Sequence, residues 1–148
     1  MKIKIFLLVM SLILSLTIST TSASQNICGV YVDSAIKNLH SWQDLHSWYQ
    51  KYHECDDGYF AEGVSDFVVR ALAKNWHTLP MLQREVIRDS QFTDFVLKHI
   101  DSTGDNADLR IITKKAKTHC PAKHQRLCHE IKKRAEIALQ EMTKTKSR

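Results

Sequence analysis

The strongest constraint on the fold is the run from Cys55 to Trp76, CDDGYFAEGVSDFVVRALAKNW. Phe60, Val64, Phe67 and Ala71 recur in it at helical spacing, with Val68 and Leu72 beside them. A stripe of this period faces a core. It predicts a central helix from about Gly58 to Asn75, which other elements must cover. Asp56 or Asp57 can cap the free N–H groups of its first turn, and Glu62 places negative charge near the positive end of the helix dipole. Gly63 lies in its interior, where glycine costs about 1 kcal/mol relative to alanine. That cost predicts close approach by another backbone or side chain.

The segments around it have the same period. Val32, Ala35, Ile36 and Leu39 form one stripe, followed by Trp42, Leu45, Trp48, Tyr49 and Tyr52 behind Ser41, with Asp44 in a capping-box-like place. Thr78 as N-cap and Pro80 in the first turn predict a helix carrying Leu79, Leu82, Val86 and Ile87. Asp89 or Ser90 caps the next, with Phe92, Phe95, Val96, His99 and Ile100 inward. Leu109, Ile112 and Ala116 mark another, ended by His119-Cys120-Pro121. The last runs from about Ala122 past Leu139, with Leu127, Ile131, Ala135 and Ala138 inward. No segment sustains the two-residue alternation of a half-buried strand. The fold class is therefore all-α, a compact bundle of about six or seven helices.

The N-terminus has another character. Lys2 and Lys4 precede an almost wholly apolar stretch from Ile5 to Leu16, and Thr21-Ser22-Ala23 offers small residues for cleavage. This is the pattern of a secretory signal peptide, 1–23. The apolar run is short of the roughly 18 residues that a membrane span needs, so no stable membrane anchor is expected. Residues 24–142 form a single helical domain, and 143–148 are a basic tail expected to be disordered. Four cysteines follow the leader: Cys28, Cys55, Cys120 and Cys128. An even number in an exported chain predicts two disulfides. Four cysteines allow three pairings; Cys28–Cys55 with Cys120–Cys128 is favoured because each pair brackets a local segment.

Charge is segregated. Residues 24–109 hold 7 Lys and Arg against 13 Asp and Glu, and residues 110–148 hold 12 against 3. An exported protein rarely meets nucleic acid, so no nucleic-acid partner is expected. Anionic envelope polymers, membrane headgroups or an acidic protein patch are better matches for the basic part, beside the plainer reading of a solvated helix face.

Three constellations bear on chemistry. His119, Cys120, His124, Cys128 and His129 crowd together as zinc-type ligands. Their spacing fits no common finger, and a Cys120–Cys128 disulfide accounts for the cysteines, so no metal or cofactor is expected. Gly63-Val64-Ser65-Asp66 resembles half of a nucleophile elbow, without the second glycine. Cysteine nucleophiles beside His77 or His99 conflict with the disulfides, and capping accounts for Asp56 and Asp57 as an alternative to an acid pair with Glu62. No catalytic set emerges, and the chain is read as a binder rather than an enzyme. Its best protruding element is the acidic segment 101–108, with Asp101, Ser102, Thr103, Asp105, Asn106 and Asp108 as candidate partner-binding residues, since loops on rigid scaffolds carry binding residues disproportionately. The alternative is that this segment only joins two helices.

The motifs Cys55-Asp56-Asp57-Gly58, Ala61-Glu62-Gly63, Ser65-Asp66, Trp76 and His99-Ile100-Asp101, followed by Cys120-Pro121 and Cys128, resemble the type VI secretion amidase-immunity family of periplasmic helical proteins. The resemblance spans about Trp42 to Ile131. It implies a periplasmic immunity protein that binds a cognate peptidoglycan amidase effector and occludes its active site, with a loop or helix end in the catalytic groove. It also implies that a second copy of the chain can form a homodimer, for which an exposed Trp42/Trp48 face would be a candidate surface. Segment 101–108 is then the candidate plug. Alternatives are an inhibitor of another cell-wall hydrolase such as a lysozyme, or a small periplasmic enzyme or metal-handling protein using His119, His124 and His129.

Overall fold

The computed structural model describes residues 28–147, so the signal peptide expected at 1–23, its cleavage point, residues 24–27 and Arg148 of the expected tail lie outside the described residues. Seven α-helices follow one another, with no strand among the described residues: α1 (Val30–Lys37), α2 (Trp42–Tyr52), α3 (Gly58–Lys74), α4 (Leu79–Arg88), α5 (Ser90–Lys98), α6 (Asn106–Thr118) and α7 (Gln125–Lys146). Short 3₁₀ turns precede α3, α4 and α7. The all-α reading holds.

The predicted central helix is α3, packed against α1 on one side and α6 on the other. Val64, Val68 and Leu72 are fully buried, as expected from the stripe, and so are Val69 and Ala73 on a second flank. A helix with two covered faces is the middle of a bundle. The α6–α7 hairpin makes the most extensive helix–helix contact, and α2, α4 and α5 close the remaining side. Both Trp42 and Trp48 are buried, so they belong to the core and offer no exposed face to a second copy. Trp42 stacks edge-on against Phe67 of α3, and Tyr49 packs between Phe92 and Phe95 of α5.

Both disulfides form in the favoured pairing, with Cα–Cα distances of 5.4 Å for Cys28–Cys55 and 6.1 Å for Cys120–Cys128. The first ties the chain before α1 to the start of α3; the second closes the turn between α6 and α7. Such staples belong to an oxidising environment. No described helix is long and apolar enough to cross a membrane.

Gly63 faces Ile36 of α1. A Cβ at position 63 would sit 2.8 Å from Ile36 Cγ2, closer than side chains tolerate. The glycine thus lets α1 lie on α3. Gly63→Val should push α1 off α3 and destabilise the fold by about 1–3 kcal/mol, the usual cost of overpacking; a urea melt of the variant checks this.

Several local expectations need revision. Ser41 does cap α2, accepting from Asp44 N at 3.1 Å, while Asp44 reaches back to His40 N. Thr78 does not cap α4; its hydroxyl accepts from Trp42 Nε1 and donates to the Asn75 carbonyl, which holds the α3–α4 corner against α2. The end of the chain is more ordered than its composition suggests, because α7 continues to Lys146 through 143–146. Of the two acids before α3, Asp57 is the capping residue and Asp56 is engaged elsewhere.

Candidate functional site

Between α5 and α6 the chain turns over the flank of α3. This turn, residues 99–105, is shorter than the 101–108 segment expected from composition, because α6 already begins at Asn106. Asp105 is its N-cap: Oδ1 accepts from Asp108 N at 3.0 Å. Asp108 therefore lies in the first turn of α6. It is buried, and its Oδ1 accepts from Lys74 Nζ at 2.6 Å, joining α6 to the C-terminal end of α3. Asn106 is half-buried, donating to Met142 Sδ of α7 and accepting from Arg110 Nε. Asp108 and Asn106 are thus structural residues, a correction to their reading as a protruding surface.

The start of the turn is held from beneath. Ser65 on α3 and His99 at the end of α5 are each 1% exposed, and Ser65 Oγ lies 2.9 Å from His99 Nδ1. On its other side His99 Nε2 is 3.1 Å from both carboxylate oxygens of Asp56; its hydrogen bond goes to Oδ2, and Oδ1 is buried without a partner. Lys98 Nζ also donates to Asp56 Oδ2, at 2.7 Å. Ser65 Oγ donates to Asp101 Oδ2 at 2.9 Å. The other Asp101 oxygen accepts from Thr103 N at 2.8 Å and from Thr103 Oγ1 at 2.6 Å. Gly104 N completes the turn by donating to the Asp101 carbonyl. Gly104 rests on Val69, whose Cγ2 would be 2.9 Å from any Cβ there.

A buried chain, Asp56–His99–Ser65–Asp101, thus links the segment before α3, α3 itself, the end of α5 and the turn. It contains a serine, a histidine and two carboxylates, the residue types of a hydrolytic triad. Its geometry serves another purpose. The serine is sealed from solvent and bonded to Nδ1 of the imidazole, and its hydrogen is aimed at Asp101, so in this arrangement no substrate carbonyl reaches it. The network fixes the turn. What the turn leaves exposed is Ser102, Thr103 and the Asp105 side chain beyond its capping oxygen. The Asp101 carboxylate is engaged by one oxygen inward, to Ser65, and by the other within the turn, to Thr103.

With His99 neutral the network is one hydrogen short. A neutral imidazole has one N–H. Placed on Nε2 it donates to Asp56, and Nδ1 can then accept from Ser65, whose only hydrogen is also needed by Asp101. Burial pushes the His99 pKa below its ordinary 6.5, against the pull of the Asp56 carboxylate in the other direction. The unfolded chain therefore takes up the proton first. The stability tied to His99 is complete above pH 6.5 and is lost as pH falls from there toward the lower folded-state value. Denaturant midpoints should decline as pH falls below 6.5, with a shallower decline in His99→Gln.

A second buried histidine, His46 of α2, sits between Glu85 (Nδ1–Oε2, 2.9 Å) and Asp89 (Nε2–Oδ2, 3.1 Å) and packs on the Phe92 ring. Asp89 also caps α5 through Oδ1, which accepts from Gln91 N and Phe92 N. Its bond to His46 holds the Asp89 carboxyl below the usual range. That contribution is present above pH 3.8 and is lost as pH falls through the lower folded-state value. His46 escapes the aromatic reading of α2, although its spacing of four from Trp42 and three to Tyr49 places it on the same face.

The C-terminal histidines do not gather. His119 Nδ1 lies against Thr118 Oγ1, His129 is exposed, and both cysteines are in the disulfide. Among the described residues no three His, Cys, Asp or Glu side chains converge as metal ligands. No family model, curated protein or solved structure matches the chain.

Proposed function

We propose that the protein is a periplasmic immunity protein that binds a peptidoglycan amidase effector and blocks its catalytic groove with the turn 101–105. The observation that carries this reading is the pinning of that turn. Side-chain bonds from Ser65 and Thr103 converge on Asp101, Gly104 is seated on Val69, and Asp105 caps α6. A segment held in one shape before binding loses little entropy on binding, which is what an occluding loop requires. Ser102, Thr103 and Asp105 then face the partner as a small polar tip.

Two further features support the reading. The disulfides match an exported protein, and the buried network is built from the motif residues Asp56, Ser65, His99 and Asp101 on which the family resemblance rests. The resemblance thus concerns the frame that holds the tip. The test is co-purification with a peptidoglycan amidase, beginning with any encoded beside this gene, followed by an assay of muropeptide cleavage. Stoichiometric inhibition supports the proposal. Inhibition of a lysozyme with no effect on amidases would replace the partner class, and no inhibition of any cell-wall hydrolase would end the reading.

A further inference from the structure

Away from the turn, α6 and α7 enclose a groove of about 460 Å³ lined by Arg110, Thr113, Lys114, Lys117, Thr118 and Leu139. Arg110, Lys114 and Lys117 follow one edge of α6 at spacings of four and three, a row of roughly 10 Å at 1.5 Å per residue. Two other cations of the hairpin are used internally. Lys115 Nζ donates to the Ala73 carbonyl at the end of α3, and Arg134 Nε to the Leu97 carbonyl in α5. Of the groove cations, Arg110 donates from Nε to Asn106 Oδ1 one turn earlier on α6, and among the described residues none of the three reaches a backbone carbonyl of another helix. Among the described residues the one ion pair made by cations of α6 and α7 is Lys132 with Glu136. Beside the row Ile111 is 38% exposed, and Leu139, partly buried against the core, turns its remaining aliphatic surface to the groove.

We infer that this face docks peripherally on an anionic phospholipid surface, with the row Arg110, Lys114 and Lys117 on headgroup phosphates and Ile111 and Leu139 against the glycerol and upper acyl region. Charge complementarity supplies the attraction, since residues 110–148 carry 12 Lys and Arg against 3 Asp and Glu. The other side chains select the class of partner. From Ala107 to the end of the chain there is no Phe, Trp or Tyr. Single-stranded nucleic acids are gripped by aromatic stacking as well as by cations. Protein interfaces of this size are usually anchored by several aromatic or arginine residues, and this face offers one arginine. Cations, hydroxyls and exposed aliphatics without aromatics fit phosphate headgroups above a hydrocarbon layer. The contact is electrostatic and reversible, and it leaves the 101–105 turn outside the basic row. It is therefore independent of the proposed inhibitory role.

The test is co-sedimentation of the protein, as recovered from the producing cell, with vesicles of one-third phosphatidylglycerol in phosphatidylcholine and with vesicles of phosphatidylcholine alone. Binding to the anionic vesicles at low salt, released by high salt and absent on the neutral ones, is expected. R110Q/K114Q/K117Q should weaken partitioning on the order of 100-fold, from about fivefold per cation. Its thermal midpoint should stay close to the parent's, because these side chains are exposed and the one bond lost, Arg110 to Asn106, lies on the solvent face of α6. A variant altered only at Ser102 should bind vesicles like the parent. Equal sedimentation with both vesicle types, undiminished binding by the folded triple variant, or preferential binding to soluble polyglutamate would overturn the inference.

Discussion

His99→Ala is expected to lower the unfolding free energy by about 3–5 kcal/mol, combining a cavity in the core with the loss of a donor to a buried carboxylate. His99 is sealed, its ring packs edge-on against Phe95 at 4.6 Å between centroids, and its two nitrogens bridge Asp56 and Ser65. Asp56 keeps Lys98 as a partner, but its Oδ1 is already unpaired and buried. Ser65 keeps Asp101. The variant should therefore melt at markedly lower urea concentration with an unchanged slope, since the surface exposed on unfolding is the same. Backbone amides of Thr103 and Gly104 should lose hydrogen-exchange protection more than those of α6, because the turn is the part the network restrains. A loss under 1 kcal/mol would mean that the network neither supports the core nor fixes the turn.

The second large effect is on partner binding. Reversing Asp101, Asp105 and Asp108 together, the obvious charge experiment from sequence, would confound binding with folding. Asp101 and Asp108 are held by Ser65, Thr103 and Lys74, and removing them breaks the frame. The informative variant is Ser102→Arg with Asp105→Asn. Ser102 is exposed at the tip, and asparagine retains an oxygen that can cap α6. Binding to the proposed amidase partner should weaken by about 100-fold, the scale of a hot-spot loss of 2–3 kcal/mol. The melting midpoint should hardly move.

The helices were legible because apolar residues recurred at a single period, and a buried stripe leaves that mark on any sequence. The disulfide pairing followed from local bracketing. Contacts made across the fold left less trace. Asp56 and Asp57 are equivalent as sequence signals, and only the arrival of His99 and Lys98, more than forty residues on, makes Asp56 part of the network. Ser65 drew attention beside Gly63 as a partial nucleophile motif, whereas its partners lie 34 and 36 positions away. Asp108 looked exposed because acids after a glycine suggest a loop. Its place three residues after the capping Asp105 was a local signal for the first turn of a helix. Thr78 resembled a cap because threonine before Leu-Pro commonly is one, but the Trp42 indole claims its hydroxyl.

The central claim is that the exposed tip of a rigid turn makes the inhibitory contact. It is tested most directly by titrating the proposed amidase partner, during muropeptide cleavage, with the parent protein and with the folded Ser102→Arg/Asp105→Asn variant. The account predicts one-to-one inhibition by the parent and a rise of about 100-fold in the inhibition constant of the variant, with unchanged stability. Equal inhibition by both proteins would place the contact on another surface and contradict the account.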